Sequence, residues 1–188
     1  MSTTRTRRIG LSIAVGIVLL GVTFVGGILS GRLGNRSSSD AAASAQAATT
    51  LAPPMMLPIA GETGSLRLDS LKGKPVYLNF FASWCPPCNM EAPELAQLNR
   101  TYAPHGLVML GVDEEESANQ ALGFRNRYSL GYRILLDRDG SAGSPYGANA
   151  LPVQALIDRQ GRIAWIHVGM VDIAEARQQI DLALKAAP

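Results

Sequence analysis

The sequence predicts an α/β domain, a central mixed β-sheet flanked by helices, preceded by one N-terminal transmembrane helix. Three observations lead there. Short apolar runs of strand length alternate with segments of helical spacing. Two late apolar runs are separated only by Asp158-Arg159-Gln160-Gly161, a hairpin signal. Near the N-terminus, 21 consecutive residues carry no charge.

That uncharged stretch, Ile9 to Leu29, is long enough as a helix to cross the ~30 Å hydrocarbon core of a bilayer. Arg5, Arg7 and Arg8 precede it, and only Arg32 and Arg36 follow closely. Positive charge before the span predicts residues 1–8 in the cytoplasm and everything after residue 29 outside. Ala45-Gln46-Ala47 has the form of a signal-peptidase site. The apolar run exceeds the ~7–15 residues of a signal h-region, which favours a retained anchor over a cleaved leader. Residues 30–51, rich in Ser, Ala and Gly, read as a flexible tether, and residues 52–188 as one folded domain.

Within that domain, Val76-Tyr77-Leu78-Asn79-Phe80-Phe81 follows Gly73-Lys74-Pro75 and reads as a buried central strand. Pro86 to Tyr102 has helical spacing, with Leu95 and Leu98 inward and a stop at His105-Gly106. Leu107 to Val112 is a second buried strand. Ser117 to Tyr128 is a second helix with Ser117 as its N-cap, and Glu114 to Glu116 lie near its positive end. Arg133 to Leu136 is a short strand leading into Asp137-Arg138-Asp139-Gly140. This tetrapeptide lacks the remaining ligands of a calcium loop and reads as a turn. Val153 to Ile157 and Arg162 to Val168 form the hairpin, and Ile173 to Ala186 a closing helix.

Composition excludes several classes of function. The net charge is +2, and residues 1–50 alone hold five Arg against one Asp, so the folded part is mildly acidic. No basic face for nucleic acid is expected. Two cysteines are too few for a disulfide framework or a four-cysteine zinc site. His105 and His167 have no ligand spacing, so no metal and no cofactor are expected.

Both cysteines fall in Trp84-Cys85-Pro86-Pro87-Cys88, at the junction of the first strand and the first helix. Three residues apart on one helical face, they can form and break a disulfide. Cys85 sits where unpaired backbone N–H groups and the positive dipole end favour a thiolate, the attacking species in thiol–disulfide exchange. Cys88, one turn in, is expected to be the more buried, resolving thiol. Pro86 and Pro87 offer no N–H and so alter the donors around the sulfurs. An inert disulfide or half a zinc site are the other readings of a C-x-x-C. The strand-to-helix setting favours redox chemistry.

The stretch from Gly73 to Leu95, with Trp84-Cys85-Pro86-Pro87-Cys88-Asn89-Met90-Glu91-Ala92-Pro93-Glu94 at its centre, resembles the TlpA/ResA branch of the thioredoxin superfamily. The similarity continues through Leu151-Pro152-Val153-Gln154-Ala155-Leu156-Ile157. The resemblance implies a thioredoxin-like fold and a membrane-anchored, extracytoplasmic thiol–disulfide oxidoreductase. Pro152 matches the cis-proline that faces the cysteines in this superfamily, with Leu151 offering backbone hydrogen bonds to a substrate polypeptide. Glu91, three residues after Cys88, matches an acid implicated in proton handling. Asn79 stands where cytoplasmic thioredoxins carry a buried Asp and cannot titrate, which leaves Glu91 as the proton carrier. Trp84 flanks the nucleophile as an apolar contact surface. Pro93 should kink its helix. Val153, Ala155 and Phe81 depart from the residues usual in the family.

The resulting expectation is a reductase of disulfides in exported proteins, apocytochrome c among them, supplied with electrons by a thiol-transfer membrane protein. Two alternatives stand beside it. A peroxiredoxin-like thiol peroxidase would want a peroxidatic Cys preceded by Thr and Pro at short spacing, which is absent before Cys85. A non-catalytic peptide-binding module would leave a nucleophile at a helix N-terminus unexplained.

Overall fold

Residues Val76–Phe81 are buried at every position, and alternation divides their side chains between two apolar layers. Tyr77 and Phe81 enter one layer, and Val76, Leu78 and Phe80 the other. A strand buried on both faces must lie inside a sheet covered on both sides, and it does.

The computed structural model describes residues 50–186. In chain order its elements are β1 (Met56–Pro58), β2 (Ser65–Arg67), β3 (Val76–Phe81), α1 (Pro86–Tyr102), β4 (Val108–Glu114), α2 (Ala118–Tyr128), β5 (Arg133–Asp137), β6 (Val153–Ile157), β7 (Ile163–Val168) and α3 (Ile173–Lys185). The sheet order is β5-β4-β3-β6-β7. The β3/β4 and β4/β5 pairs are parallel and the β3/β6 and β6/β7 pairs antiparallel. This is the mixed sheet expected, with β3 at its centre.

Helix α1 buries Cys88, Glu91, Ala92, Leu95, Leu98, Asn99 and Tyr102, a single stripe at three- and four-residue spacing. It passes through Pro93 as one helix and ends in a tight turn closed by Gly106, whose φ of 94° suits glycine. Helix α2 begins with the expected Ser117 cap, completed into a capping box by Gln120. The first layer holds the α1 stripe, Phe124 of α2, and Ala176, Ile180 and Ala183 of α3. The second holds Met55, Leu66, Leu68 and Tyr146.

Several boundaries differ from expectation. β4 begins one residue later and runs on to Glu114, because Asp113 and Glu114 pair with Leu136 and Asp137 of β5. Glu114 therefore closes a strand instead of leading a helix. The β1/β2 hairpin was not expected. Three-residue strands carry too little periodicity to register as strands in sequence. An Ile59–Leu135 bridge lies against one outer strand, and Thr50 accepts a hydrogen bond from the Ile163 N–H at the other. Asp137-Arg138-Asp139-Gly140 is a turn. Asp137 accepts from the Ala142 and Gly143 amides, and Asp139 accepts from that of Ser141.

The expected cytoplasmic segment (1–8), anchor (9–29) and most of the tether (30–51) lie outside the described residues. Among the described residues no helix is long and apolar enough to cross a membrane.

Candidate active site

The site forms where β3 runs into α1. Cys85 is the N-cap of the helix, in extended backbone conformation. Pro86 and Pro87 occupy the first two helical positions, where a missing N–H costs nothing. Cys88 therefore carries the first free amide of the helix, and that amide points at the Cys85 sulfur, 3.3 Å away. The two prolines thus leave a single backbone donor to serve a thiolate at Cys85. Cys85 and Cys88 are joined by a disulfide, with Cα atoms 5.3 Å apart.

Sequence reasoning expects Cys85 to be reachable and Cys88 more enclosed. In the oxidised state described here both retain only 2 % of their surface. The closed disulfide lies in the first apolar layer, with Phe81, Ala82 and Ala92 among its members. Trp84, by contrast, is 66 % exposed. The apolar contact surface expected at Trp84 is therefore open, while both sulfurs are buried.

The Leu151–Pro152 peptide bond is cis. The Pro152 carbonyl accepts the Gly169 N–H at 2.8 Å, tying the bend to the end of β7. Leu151 packs against both apolar layers. No hydrogen bond among the described residues engages its backbone.

Glu91 is not a solvated helix residue. It is 4 % exposed and lies on the buried stripe with Cys88, one turn away. Strand pairing sets Gln154 beside Asn79, and alternation turns Gln154 away from the second layer, where Val153 and Ala155 point. The Gln154 amide donates to Glu91 Oε1 at 2.8 Å, and the Val171 N–H donates to Oε2 at 3.2 Å. Burial pushes the Glu91 carboxyl up to about 7, against these two hydrogen bonds, which hold it down. An acid titrating near neutrality, one turn from the Cys88 sulfur, is suited to moving a proton.

Three further features surround the cysteines. Asn89 donates from its side chain to the carbonyls of Ser83 (2.9 Å) and Cys85 (2.7 Å), and accepts from the Tyr128 hydroxyl at 2.7 Å. Ser83 donates its N–H and its hydroxyl to the two oxygens of Glu116, the latter at 2.6 Å. The turn carrying Cys85 is thus clamped from the α2 side at two points. Behind Glu116, burial drives Asp113 up to about 9, with Glu116 and Glu114 adding to it. Glu114 rises to about 8, by burial first and then by Asp137.

Gln154, Val171, Asn89, Tyr128, Ser83 and Glu116 were not legible as site residues. Apart from the local bonds of Asn89 to Ser83 and Cys85, they act through partners distant in sequence, separated for example by 63 residues for Gln154 and Glu91. The one available signal was Gln154 inside a strand otherwise wholly apolar. A polar residue there implies a buried partner. Among the described residues, no group of three or more His, Cys, Asp or Glu could hold a metal ion.

The comparisons agree with this geometry. Residues 48–166 match the model of the AhpC/TSA family. The chain is 36 % identical over 127 residues to the thioredoxin-like protein YneN of Bacillus subtilis, covering 66 % of this chain and 72 % of that protein. It is 34 % identical over 108 residues to the thiol–disulfide oxidoreductase ResA of Halalkalibacterium halodurans, covering 57 % of this chain and 61 % of that protein. A crystal structure of a candidate DsbE thiol:disulfide interchange protein from Chlorobium tepidum superposes with a TM-score of 0.66 at 33 % identity. It covers 72 % of this chain and 96 % of that one. The five-stranded mixed sheet with its flanking helices is thus thioredoxin-like, and the chain belongs to the AhpC/TSA family as a thiol–disulfide oxidoreductase with its redox pair at Cys85 and Cys88.

Proposed function

We propose that the protein is a membrane-anchored, extracytoplasmic reductase of disulfides in exported proteins. The observation that carries the chemistry is the placement of Cys85 as N-cap, with the Cys88 amide as the first donor at its sulfur. In the reduced protein, the Cys85 thiolate attacks a disulfide of the partner. The partner's S–S bond breaks, a Cys85–partner bond forms, and the second partner sulfur leaves as a thiolate. The Cys88 thiolate then attacks the Cys85 sulfur, releases the first partner sulfur, and closes the Cys85–Cys88 disulfide. Two electrons pass to the partner. Glu91 serves as the acid–base group for Cys88, accepting its proton as that thiol becomes a nucleophile. The open backbone of Leu151, before cis Pro152, takes the partner as an extended segment, and Trp84, Pro86 and Pro87 supply apolar contact.

The reducing direction is what the resemblance of Gly73–Leu95 to the TlpA/ResA branch implies, and the charge pattern around residues 9–29 supports a location outside the membrane. A reductase in that compartment needs electrons from a thiol-transfer membrane protein. Apocytochrome c is one partner that the likeness suggests. The test is trapping with Cys88→Ala in cells. The variant should hold partners as mixed disulfides on Cys85, identifiable by mass spectrometry. Recovery of no disulfide-linked partner would refute exchange as the function.

A further inference from the structure

All three lysines of the chain, Lys72, Lys74 and Lys185, are exposed and lie at the pole of the sheet opposite the cysteines. Lys72 and Lys74 precede the start of β3. Arg159 stands between them and the end of α3, donating to the carbonyls of Gly73 (3.1 Å) and Leu184 (3.2 Å), next to Lys185. Arg162 is in the same turn, paired with Asp158 at 2.9 Å. Lys72 and Lys74 form no ion pair within 4 Å among the described residues. The carboxylates near this pole are Asp158, paired with Arg162, Asp69, bound to Arg67 and near enough to Lys72 to feel its charge, and Asp181, one turn before Lys185 on α3. At the cysteine pole, by contrast, β4 and β5 end in Asp113, Glu114 and Asp137, with Glu116 following.

The basic pole is also where the chain enters the domain. The Thr50 carbonyl accepts from Ile163, and the Ala52 N–H donates to Gly161. Leu51, 66 % exposed, sits among the cations. With Lys72 and Lys74 it lines a cavity of about 120 Å³. The aspartates of that cavity, Asp69 and Asp158, are held by Arg67 and Arg162, and an exposed leucine beside the two remaining ammonium groups matches a surface that is anionic outside and apolar just beneath. Forty-nine residues precede Thr50, including the 21 uncharged ones.

We infer that this pole is a docking surface for the anionic headgroups of a phospholipid bilayer. Docked in this way, the domain directs its cysteine pole away from the lipid, toward soluble partners. The inference rests on the membrane-anchored reading, because weak headgroup contacts gain most when the domain is already held near the surface.

The test uses the full-length chain with vesicles of phosphatidylcholine alone or mixed with phosphatidylglycerol, reading acetylation of each lysine by mass spectrometry. All three lysines should react about threefold more slowly on the anionic vesicles, and high salt should abolish the protection. Lys72→Glu combined with Lys74→Glu, both at exposed positions, should remove the protection of Lys185. Alkylation of the reduced cysteines should not change with lipid. Equal lysine rates on the two vesicle types overturn the inference. So does equal protection by millimolar inorganic phosphate without vesicles, which would assign a free-anion site instead. Flotation with the neutral vesicles reports separately on the anchor. If the chain does not float with them, the anchored reading fails, and the lysine rates on the anionic vesicles still decide the pole.

Discussion

Gln154 and Glu91 meet at 2.8 Å across the interface of β6 and α1, joining the strand that follows cis Pro152 to the helix that carries both cysteines. Burial raises the proton affinity of this acid, and the contact, together with the Val171 N–H, holds it down. Gln154→Ala should therefore move the Glu91 titration above about 7. A hydrogen bond to a charged group is worth ~1.5–3 kcal/mol, so a shift of about one to two pH units is expected. The pH dependence of exchange, or carboxyl NMR of the two proteins, would measure it.

Glu91 also makes stability depend on pH, with a definite sign. Its folded value of about 7 exceeds its ordinary 4.5. As pH rises, the unfolded chain loses this proton first, so the native state loses stability between those values. The full effect is about 3 kcal/mol, present above pH 7 and absent below 4.5. Glu91→Gln should show a shallower decline over that window. Asp113 and Glu114, raised in the same direction, keep part of the slope. Urea unfolding of both proteins at several pH values tests this; parallel curves would show that Glu91 does not titrate there.

Asn89 joins three parts of the site, taking the Tyr128 hydroxyl and donating to the Ser83 and Cys85 carbonyls. Asn89→Ala should destabilise the domain by about 1 kcal/mol, because the half-buried Ser83 carbonyl and Tyr128 hydroxyl lose this partner, while the Cys85 carbonyl keeps the backbone N–H of residue 89. Tyr128→Phe should then cost less in the Asn89→Ala background than it costs in the parent protein, because the bond they share is already gone. A double-mutant cycle by denaturant unfolding reads that coupling.

Gly111 of β4 has no room for a side chain. A Cβ there would lie 2.6 Å from Ile134 Cδ1 and 2.9 Å from a Phe81 ring carbon, both on fully buried residues. Gly111→Ala should cost about 1–3 kcal/mol by overpacking, seen as a lower urea midpoint with unchanged slope.

Much of this architecture could be read before the structure. The run Val76–Phe81, the α1 stripe and the Asp158–Gly161 turn each follow from local rules of period and turn chemistry, and each stands where expected. Cys85, Cys88 and the cis bond at Pro152 were equally visible, because motif and position coincide. What stayed hidden was tertiary. Nothing in the residues around Glu91 tells that Gln154 and the Val171 amide enclose it, and nothing around Ser83 indicates Glu116. The near-equal burial of the two cysteines was missed for a related reason. It arises from how the closed disulfide packs into the first apolar layer, which helix position alone does not determine.

Cys85, once reduced, is expected to be held as a thiolate by the start of α1. The most direct test is the rate of Cys85 alkylation against pH in the reduced Cys88→Ala protein. The expected inflection lies well below the ~8.5 of free cysteine. An inflection at that value, or no reaction at any pH under native conditions, would contradict the claim.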